Sequence, residues 1–331
     1  MVEPVRAPDA KGAEAALARI RQVMPESPLL RSEPLSKALG MELWFKCELH
    51  NPTFSFKLRG ATNDLLAAKE SGRLKGAIVC SSSGNHGLAC AWTGKNLGVP
   101  CHVFVSEAVG PAKRAVIQAM GGTVHVAGRD IDDARAAAID YAQAHGHYFV
   151  NDGVSPEIME GAGTMALEVV RRLSDVDALI VPVGGGNLAA GTGLVLKAAS
   201  AKTKAIAVSP KLSPVIVRSF HEKAMLSIPP GDSIADGLTQ REPILESLRV
   251  IWANVDDAWL VEDEAILAAM HALLESAHIL VEPSGAAGLA AAWAYRDRLK
   301  GKRVVVALTG SNVNMGQVRK ALAVPSFAPL A

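Results

Sequence analysis

The feature that most limits the fold of this chain is an alternation of short β-branched runs with longer, alanine-rich stretches. Apolar or β-branched runs occupy residues 41–47, 77–80, 102–105, 123–126, 148–150, 178–183, 204–208 and 303–308. Helical periodicity fills several of the intervals, as at 57–69, 86–97 and 130–144. Strands that alternate with helices predict open, mostly parallel sheets with helices on both faces. The sequence therefore indicates an α/β protein.

The spacing of these runs also predicts how the chain is divided. Four of the runs fall between residues 74 and 150, close enough together to form a compact unit of their own. The flanking segments, 1–73 and 151–331, can then share a second sheet. A chain of 331 residues has the usual length for two domains. We therefore predict two open, mostly parallel sheets, each flanked by helices.

Composition excludes several classes of partner. The chain has 34 Lys and Arg against 33 Asp and Glu, a balance that favours neither nucleic acid nor a membrane surface. Its apolar runs are shorter than the roughly 20 residues of a membrane span, and its charged N-terminus does not resemble a secretory signal. We expect a cytoplasmic protein whose partners are small molecules or copies of itself. Four cysteines without a CxxC pair are expected to be reduced and buried: Cys47, Cys80, Cys90 and Cys101.

A lysine at the start of a predicted helix is the first candidate for chemistry. Residues 51–61, with the sequence NPTFSFKLRGA, follow one strand and open the helix that begins near Lys57. The positive end of a helix and apolar neighbours favour the uncharged amine, which is the form that attacks a carbonyl carbon. An ordinary surface lysine in the first turn fits the same segment, so this motif alone leaves both interpretations open.

Two loops between strands and helices have the composition of anion-binding sites. Residues 81–87 read SSSGNHG, and residues 183–188 read VGGGNL. Such loops leave backbone N–H groups free at a helix N-terminus, where a carboxylate or a phosphate can bind. The glycine cluster matches neither GxGxxG nor GxxxxGK[ST], so it favours a single phosphate monoester over a dinucleotide or a nucleoside triphosphate. An N-cap serine and a glycine turn without function are the alternatives.

A fourth segment, TGSN at residues 309–312, follows the strand at 303–308. In this order and spacing, the four segments resemble those of the fold type II pyridoxal phosphate enzymes, and most closely the threonine/serine dehydratase and serine racemase family. EGAGT at 160–164, SIADG at 233–237 and EPSGA at 282–286 agree with this resemblance. It extends from about residue 29 to residue 314.

The resemblance implies an architecture like that of the tryptophan synthase β chain. Residues 1–73 and 151–331 would form the large, cofactor-binding domain, and residues 74–150 the small, substrate-binding domain. The cofactor would be pyridoxal 5'-phosphate, the substrate a small amino acid, and the assembly a homodimer.

The resemblance also assigns roles to matching positions. Lys57 would hold the cofactor as a Schiff base, next to Phe56, and then act as the base at the substrate Cα. Asn85 would bond the phenolic oxygen of the cofactor, and Thr309 would face its pyridine nitrogen. The cofactor phosphate would lie on the backbone N–H groups of Gly184, Gly185, Gly186, Asn187 and Leu188. The substrate site would be formed by Ser82, Ser83, Asn85 and His86.

The residue at position 309 shapes the expected reaction. An aspartate there would keep the pyridine nitrogen protonated and make the ring a full electron sink, whereas a hydroxyl does not. Elimination of a β-hydroxyl is then favoured, giving a 2-oxo acid and ammonia from serine, threonine, 3-hydroxyaspartate or phenylserine. A racemase remains the first alternative, with Ser83 as the second acid/base. Replacement chemistry and a cofactor-binding sensor without turnover are the others.

The sequence departs from the family pattern at a few positions. Phe54 stands where a glycine is usual, and its ring is expected to reshape the pocket wall. Asn187 replaces the fourth glycine of the phosphate loop, where asparagine would tolerate a positive φ. Metal-activated relatives have a glutamate and an aspartate where this chain has Ser209 and Val215. Because divalent cations of the magnesium type need carboxylate oxygens, we expect no metal at that site.

Overall fold

The computed structural model describes residues 6–199 and 202–327, which form two β-sheets with helices around them. The strands are β1 (Leu29–Arg31), β2 (Glu42–Cys47), β3 (Ile78–Ser81), β4 (Cys101–Val105), β5 (Gly122–Val126), β6 (Tyr148–Phe149), β7 (Ala178–Pro182), β8 (Lys204–Pro210), β9 (Asp257–Val261) and β10 (Arg303–Leu308). The helices are α1 (Ala10–Ile20), α2 (Glu33–Leu39), α3 (Lys57–Glu70), α4 (Asn85–Leu97), α5 (Pro111–Ala119), α6 (Ile131–His145), α7 (Pro156–Arg172), α8 (Asn187–Ala199), α9 (Val215–Glu222), α10 (Leu245–Asn254), α11 (Asp263–Ala277), α12 (Pro283–Ala294), α13 (Arg296–Leu299) and α14 (Met315–Leu322). Short 3-10 helices occupy Glu48–His50 and Asp236–Leu238.

The strands form a large sheet with the order β1-β2-β10-β7-β8-β9 and a small sheet with the order β5-β4-β3-β6. All neighbouring strands are parallel except β1 and β2, which pair antiparallel. The prediction of an α/β protein with two mostly parallel sheets is confirmed. Sequence patterns missed β1, which has three residues and a mostly exposed face, and β9, which lies next to charged residues.

The core of the large sheet shows why its strands are nearly continuous apolar runs. In β10, Val304 and Val306 belong to one buried cluster, while Val305 and Ala307 belong to the cluster on the opposite face. Successive side chains of a strand point to opposite faces, so a sheet covered by helices on both sides buries every position. The four cysteines are free and buried, as expected. Within the described ranges, no helix is both long and apolar enough to cross a membrane.

A buried ionic network connects the large sheet to the start of α3. Arg59 Nε donates to Glu48 Oε2 at 2.6 Å, and Arg59 Nη2 donates to Glu168 Oε2 at 2.7 Å. Lys46 Nζ lies 2.5 Å from the same Glu168 oxygen. These four side chains are at most 1% exposed. The network therefore holds α3 in place at Arg59, two residues after Lys57.

The chain crosses between the two sheets twice. It leaves the large sheet after β2, passes through α3 and enters the small sheet at β3. It returns after β6 through residues 150–155 and α7. The loops that follow β2, β3, β7 and β10 all lie at carboxyl ends of parallel strands, the usual position of ligand sites in open α/β sheets.

Candidate active site

Lys57 is the first residue of α3, and the loop before it is tightly held. The side-chain amide of Asn51 donates to the Ser55 carbonyl at 2.6 Å, and its oxygen accepts from the N–H groups of Thr53 and Ser55. The Phe56 N–H donates to the Thr309 carbonyl at 2.9 Å. The segment before Lys57 is thus joined to the loop after β10, which brings two of the predicted segments together.

The Lys57 amine faces a carboxylate that the sequence did not reveal. Its Nζ lies 2.8 Å from Asp152 Oδ2, and Asn187 Nδ2 donates to Asp152 Oδ1 at 2.6 Å. Asp152 follows β6, 95 residues from Lys57 along the chain. Burial raises the pKa of Asp152, but the charges of His86 and Lys57 and the hydrogen bond from Lys57 outweigh it. The pKa of Asp152 therefore lies well below its ordinary value, and the group is ionised.

A glycine loop joins β7 to α8 and has the shape of an anion cradle. Gly186 has a φ of 100°, and a Cβ added to it would collide with the hydroxyl of Ser247. A Cβ on Gly184 would lie 2.7 Å from the Gly237 carbonyl oxygen. Asn187 begins α8, and the first N–H groups of a helix have no acceptor inside it. The loop therefore combines free donors, the positive end of a helix and close backbone packing.

Two residues of the 81–87 segment, Asn85 and His86, begin α4. Asn85 Nδ2 donates to Glu282 Oε1 at 2.8 Å, and its Oδ1 accepts from Asn312 Nδ2 at 2.7 Å. Burial raises the pKa of Glu282 to about 7, although the hydrogen bond from Asn85 opposes the shift. His86 is buried, and burial lowers the pKa of its imidazole. Asn85 thus joins the start of α4 to Glu282, just before α12, and to Asn312, in the loop after β10.

These segments enclose a cavity of about 250 Å³. Eleven of the twelve sequence-predicted site residues line it: Phe56, Lys57, Ser82, Asn85, His86, Gly184, Gly185, Gly186, Asn187, Leu188 and Thr309. Ser83, the remaining one, is not among the lining residues. Sequence patterns missed Asp152, Gln240, Glu282 and Ser284, which also line the cavity. Glu282 and Ser284 belong to the EPSGA segment, which was singled out only as a landmark.

Pyridoxal phosphate fits the polar groups that converge on this cavity. The glycine loop presents backbone donors for a phosphate, and Lys57 offers an amine for the aldehyde carbon. In the part of the chain that the structure describes, His86 Nδ1 and Asn187 Oδ1 are buried and have no hydrogen-bond partner. Buried polar atoms rarely remain unpaired unless a ligand or water satisfies them. The residues present therefore suit the group that the sequence pattern implied.

Two departures from the family pattern, at Phe54 and Asn187, have different consequences from those expected. Phe54 has a φ of 54°, a conformation that favours glycine, and this explains the glycine that is usual at this position. Its half-exposed ring is not among the groups lining the cavity. Asn187 needs no positive φ because it is helical, and Gly186 takes that conformation instead. Ser209 donates to the Val183 carbonyl at 2.8 Å, and Val215 is buried.

Comparison with known proteins shows the family of this chain. Residues 20–310 match the family described as pyridoxal-phosphate dependent enzyme. The chain therefore belongs to the pyridoxal phosphate-dependent enzymes, and its solved neighbours are those of fold type II. The predicted family and cofactor are confirmed.

The individual relatives are named as enzymes that act on amino acids. The chain is 35% identical over 298 residues to the L-threonine ammonia-lyase of Geobacter sulfurreducens, an alignment that covers 90% of this chain and 74% of that one. It is 32% identical over 297 residues to the L-threo-3-hydroxyaspartate ammonia-lyase of Saccharomyces cerevisiae, covering 90% and 91%. The serine racemase structure from Dictyostelium discoideum has 30% identity and a TM-score of 0.86, covering 93% and 99%. The chain spans between 50% and 61% of the length of the biosynthetic threonine dehydratases it matches.

Proposed function

We propose that this chain catalyses the elimination of the β-hydroxyl group from a β-hydroxy amino acid, giving a 2-oxo acid and ammonia. The observation that carries the proposal is the Lys57 amine in a cavity that ends on the glycine loop after β7. Ammonia-lyases among the relatives support the same reaction. The bound cofactor supplies an electron-withdrawing ring and a phosphate, and the protein supplies the groups described next.

Lys57 Nζ is the proposed base at the substrate Cα. After it takes the proton, the amine is a cation, and Asp152 Oδ2 lies 2.8 Å away to accept a hydrogen bond from it. Asn187 holds the other oxygen of this carboxylate, so its position is fixed from two sides. Asp152 therefore stabilises the protonated form of Lys57 while the hydroxyl group leaves.

The remaining lining residues bind and orient the substrate and the cofactor. Asn85 and His86 begin α4, and Ser82 lies in the loop before it, where backbone donors and the helix N-terminus suit the substrate α-carboxylate. Thr309 lines the cavity and has a neutral hydroxyl in place of a carboxylate, which supports elimination over reactions that need a long-lived carbanion. Most of the glycine loop is buried, which limits the access of water to that part of the cavity.

A racemase is the second candidate, supported by the likeness to serine racemase structures. It requires a second acid/base on the opposite face of the substrate, and Ser83 is the predicted donor. Ser83 lies between the lining residues Ser82 and Gly84 and is not itself among them. Replacement chemistry and a sensor without turnover have no comparable support in the site geometry.

The test is the release of 2-oxo acid from serine, threonine, 3-hydroxyaspartate and phenylserine. Wild type should produce the oxo acid from at least one of them. Lys57→Ala should abolish release, whereas Lys113→Ala, which removes an exposed lysine, should leave it unchanged. Chiral analysis of the same samples identifies a racemase, since inversion without oxo acid would refute the lyase. Cofactor binding with neither product would point to replacement chemistry or to a sensor.

We also propose a division into a cofactor-binding domain, 1–73 and 151–331, and a substrate-binding domain, 74–150. All strands of the small sheet lie within residues 74–150, which supports this division. A homodimer and a cytoplasmic location follow from the family resemblance and the composition. Light scattering on the purified protein tests the dimer, and a monomer at micromolar concentration would contradict it.

A further inference from the structure

Asn85, at the start of α4, lies between two other polar side chains, Asn312 and Glu282. Asn312 Nδ2 donates to the Thr53 carbonyl at 2.9 Å and to Asn85 Oδ1 at 2.7 Å. Asn85 Nδ2 then donates to Glu282 Oε1 at 2.8 Å. These bonds form one chain that begins at a backbone carbonyl and ends at a buried carboxyl group. Asn85 and Glu282 line the cavity, whereas Asn312 lies outside the lining.

The chain determines which end of the Asn85 amide meets each neighbour. The two ends of an amide side chain have nearly the same shape, so their assignment follows from the hydrogen-bond partners. The Thr53 carbonyl can only accept, so the end of Asn312 beside it must be the NH₂ group. That NH₂ group also meets Asn85, whose near end must therefore be the oxygen. The NH₂ group of Asn85 is then turned towards Glu282, another residue of the cavity lining.

Glu282 takes one of the two hydrogens of this NH₂ group, and its own position is fixed. The Glu282 N–H donates to the Gly310 carbonyl at 3.0 Å, and a Cβ added to Gly310 would lie 2.5 Å from Glu282 Oε1. Such close packing leaves the carboxyl group little freedom, so the Asn85 amide is held at both ends. Within residues 6–199 and 202–327, Glu282 Oε1 is the one protein acceptor of Asn85 Nδ2, so the second hydrogen is available to a ligand.

We propose that Asn312 and Glu282 are positioning residues that make Asn85 present an N–H group, and not its carbonyl oxygen, to the phenolic oxygen of the bound cofactor. The inference rests on the proposed function, in which Lys57 bonds the aldehyde carbon of the cofactor and the glycine loop holds its phosphate. In pyridoxal phosphate, the phenolic oxygen is on the ring carbon next to the one that carries the aldehyde, on the side away from the phosphate arm. A donor there stabilises the anionic oxygen, whereas a carbonyl oxygen would repel it.

The absorption spectrum of the loaded enzyme without substrate tests this role, because it reports the charge of the phenolic oxygen without any turnover. The anionic form absorbs in the visible and the neutral form in the near ultraviolet, and wild type should absorb mainly in the visible. Asn312→Asp replaces a donor by an acceptor of the same shape, which favours the reversed orientation of the Asn85 amide. The ratio of visible to near-ultraviolet absorbance should then fall at least about threefold. Asn312 is exposed, so the substitution should not prevent folding.

A second substitution shows whether Asn312 acts through Asn85. Asn85→Ala removes the amide, and adding Asn312→Asp to it should change the ratio by less than about twofold, because the effects of two coupled residues do not add. Asn314→Asp is the matched control. It is the same substitution at another exposed position, two residues farther along the chain, and the new carboxylate can still cap α14. It should leave the wild-type ratio unchanged.

Glu282 allows a test in which the hydrogen bond and the charge act in opposite directions. The spectra are recorded at pH 8, where a carboxyl group with a pKa of about 7 is mostly ionised. Glu282→Leu removes the acceptor of Asn85, so the ratio should fall, whereas the loss of a negative charge by itself would raise it. Glu282→Gln keeps an acceptor oxygen and should hold the ratio within about twofold of wild type.

Several results would overturn the positioning role. These are a wild type that absorbs mainly in the near ultraviolet, an unchanged ratio in Asn312→Asp or Glu282→Leu, a rise in Glu282→Leu, and an equal fall in Asn314→Asp. An effect of Asn312→Asp that persists in full beside Asn85→Ala would do the same, since Asn312 would then act without Asn85. The proposed function fails on a different observation, a wild type that binds the cofactor but releases no 2-oxo acid, so the two failures are distinguishable.

Discussion

Glu168→Gln removes one negative charge from the buried network behind the catalytic lysine. In wild type, Glu168 accepts hydrogen bonds from Arg59 and lies 2.5 Å from Lys46 Nζ. The glutamine amide has the same shape, but its NH₂ group would meet the donors of Arg59 and Lys46. Glu48 would then be the one carboxylate left for two buried cations.

The pKa shift of Glu168 indicates how much stability the substitution removes. Burial raises this pKa, but the charges and hydrogen bonds of Arg59 and Lys46 outweigh it and lower it from 4.5 to about 2. A shift of this size contributes about 3 kcal/mol to the free energy of unfolding near pH 7. Breaking a buried ion pair typically costs about 3–5 kcal/mol, so the two estimates agree. For a chain of 331 residues, 3 kcal/mol lowers Tm by about 4–5 °C.

The pH dependence follows from the direction of the shift. Because the folded pKa is depressed, the contribution is present above pH 4.5 and is lost as the pH falls towards 2. The Tm difference between wild type and Glu168→Gln should therefore be largest at neutral pH and shrink below about pH 4.5. Differential scanning calorimetry measures it, and Glu14→Gln, which removes a half-exposed partner of Arg171, should change stability by less than about 1 kcal/mol. A Glu168→Gln protein with the Tm of wild type at pH 7 would refute the argument.

Two further predictions concern the active site itself. Burial raises the pKa of Glu282 to about 7, so the free energy of unfolding should fall as the pH rises from about 4.5 to 7. Glu282→Gln should abolish this fall, which is measured as Tm against pH. A variant with the same pH profile as wild type would contradict the prediction. Gly186→Ala forces a side chain into a φ of 100° and against Ser247, so it should weaken cofactor binding at least about tenfold in an absorbance titration. Gly185→Ala is its control, since the nearest atom to an added Cβ is 3.8 Å away, and equal losses in both variants would contradict the geometric argument.

The residues that sequence patterns found share one property: each lies in a short motif at the carboxyl end of a strand. Lys57, the glycine loop and Thr309 follow β2, β7 and β10, at the end of the strands where ligand sites form in open α/β sheets. The family resemblance then supplied roles that spacing alone left open.

Asp152 and Glu282 could not be assigned in this way. Asp152 meets Lys57 across 95 residues, and Glu282 meets Asn85 across 197 residues. No short motif encodes such contacts, because they depend on how the two sheets pack. The two carboxyl groups that line the cavity therefore became visible only in three dimensions. Phe54 shows the converse, since a departure that suggested a changed pocket proved to be a matter of backbone conformation.

The two crossings of the chain between the sheets also determine where movement is possible. Lys57 lies on the outward crossing and Asp152 on the returning one, and the two side chains are in contact. A rotation of the small sheet about these two crossings would leave this ion pair close to the pivot. Residues near a hinge move least during such a rotation, whereas the serine loop at 81–84 lies farther from the pivot. We expect substrate-driven closure to bring the carboxylate-binding loop inward while the reacting nitrogen stays almost stationary.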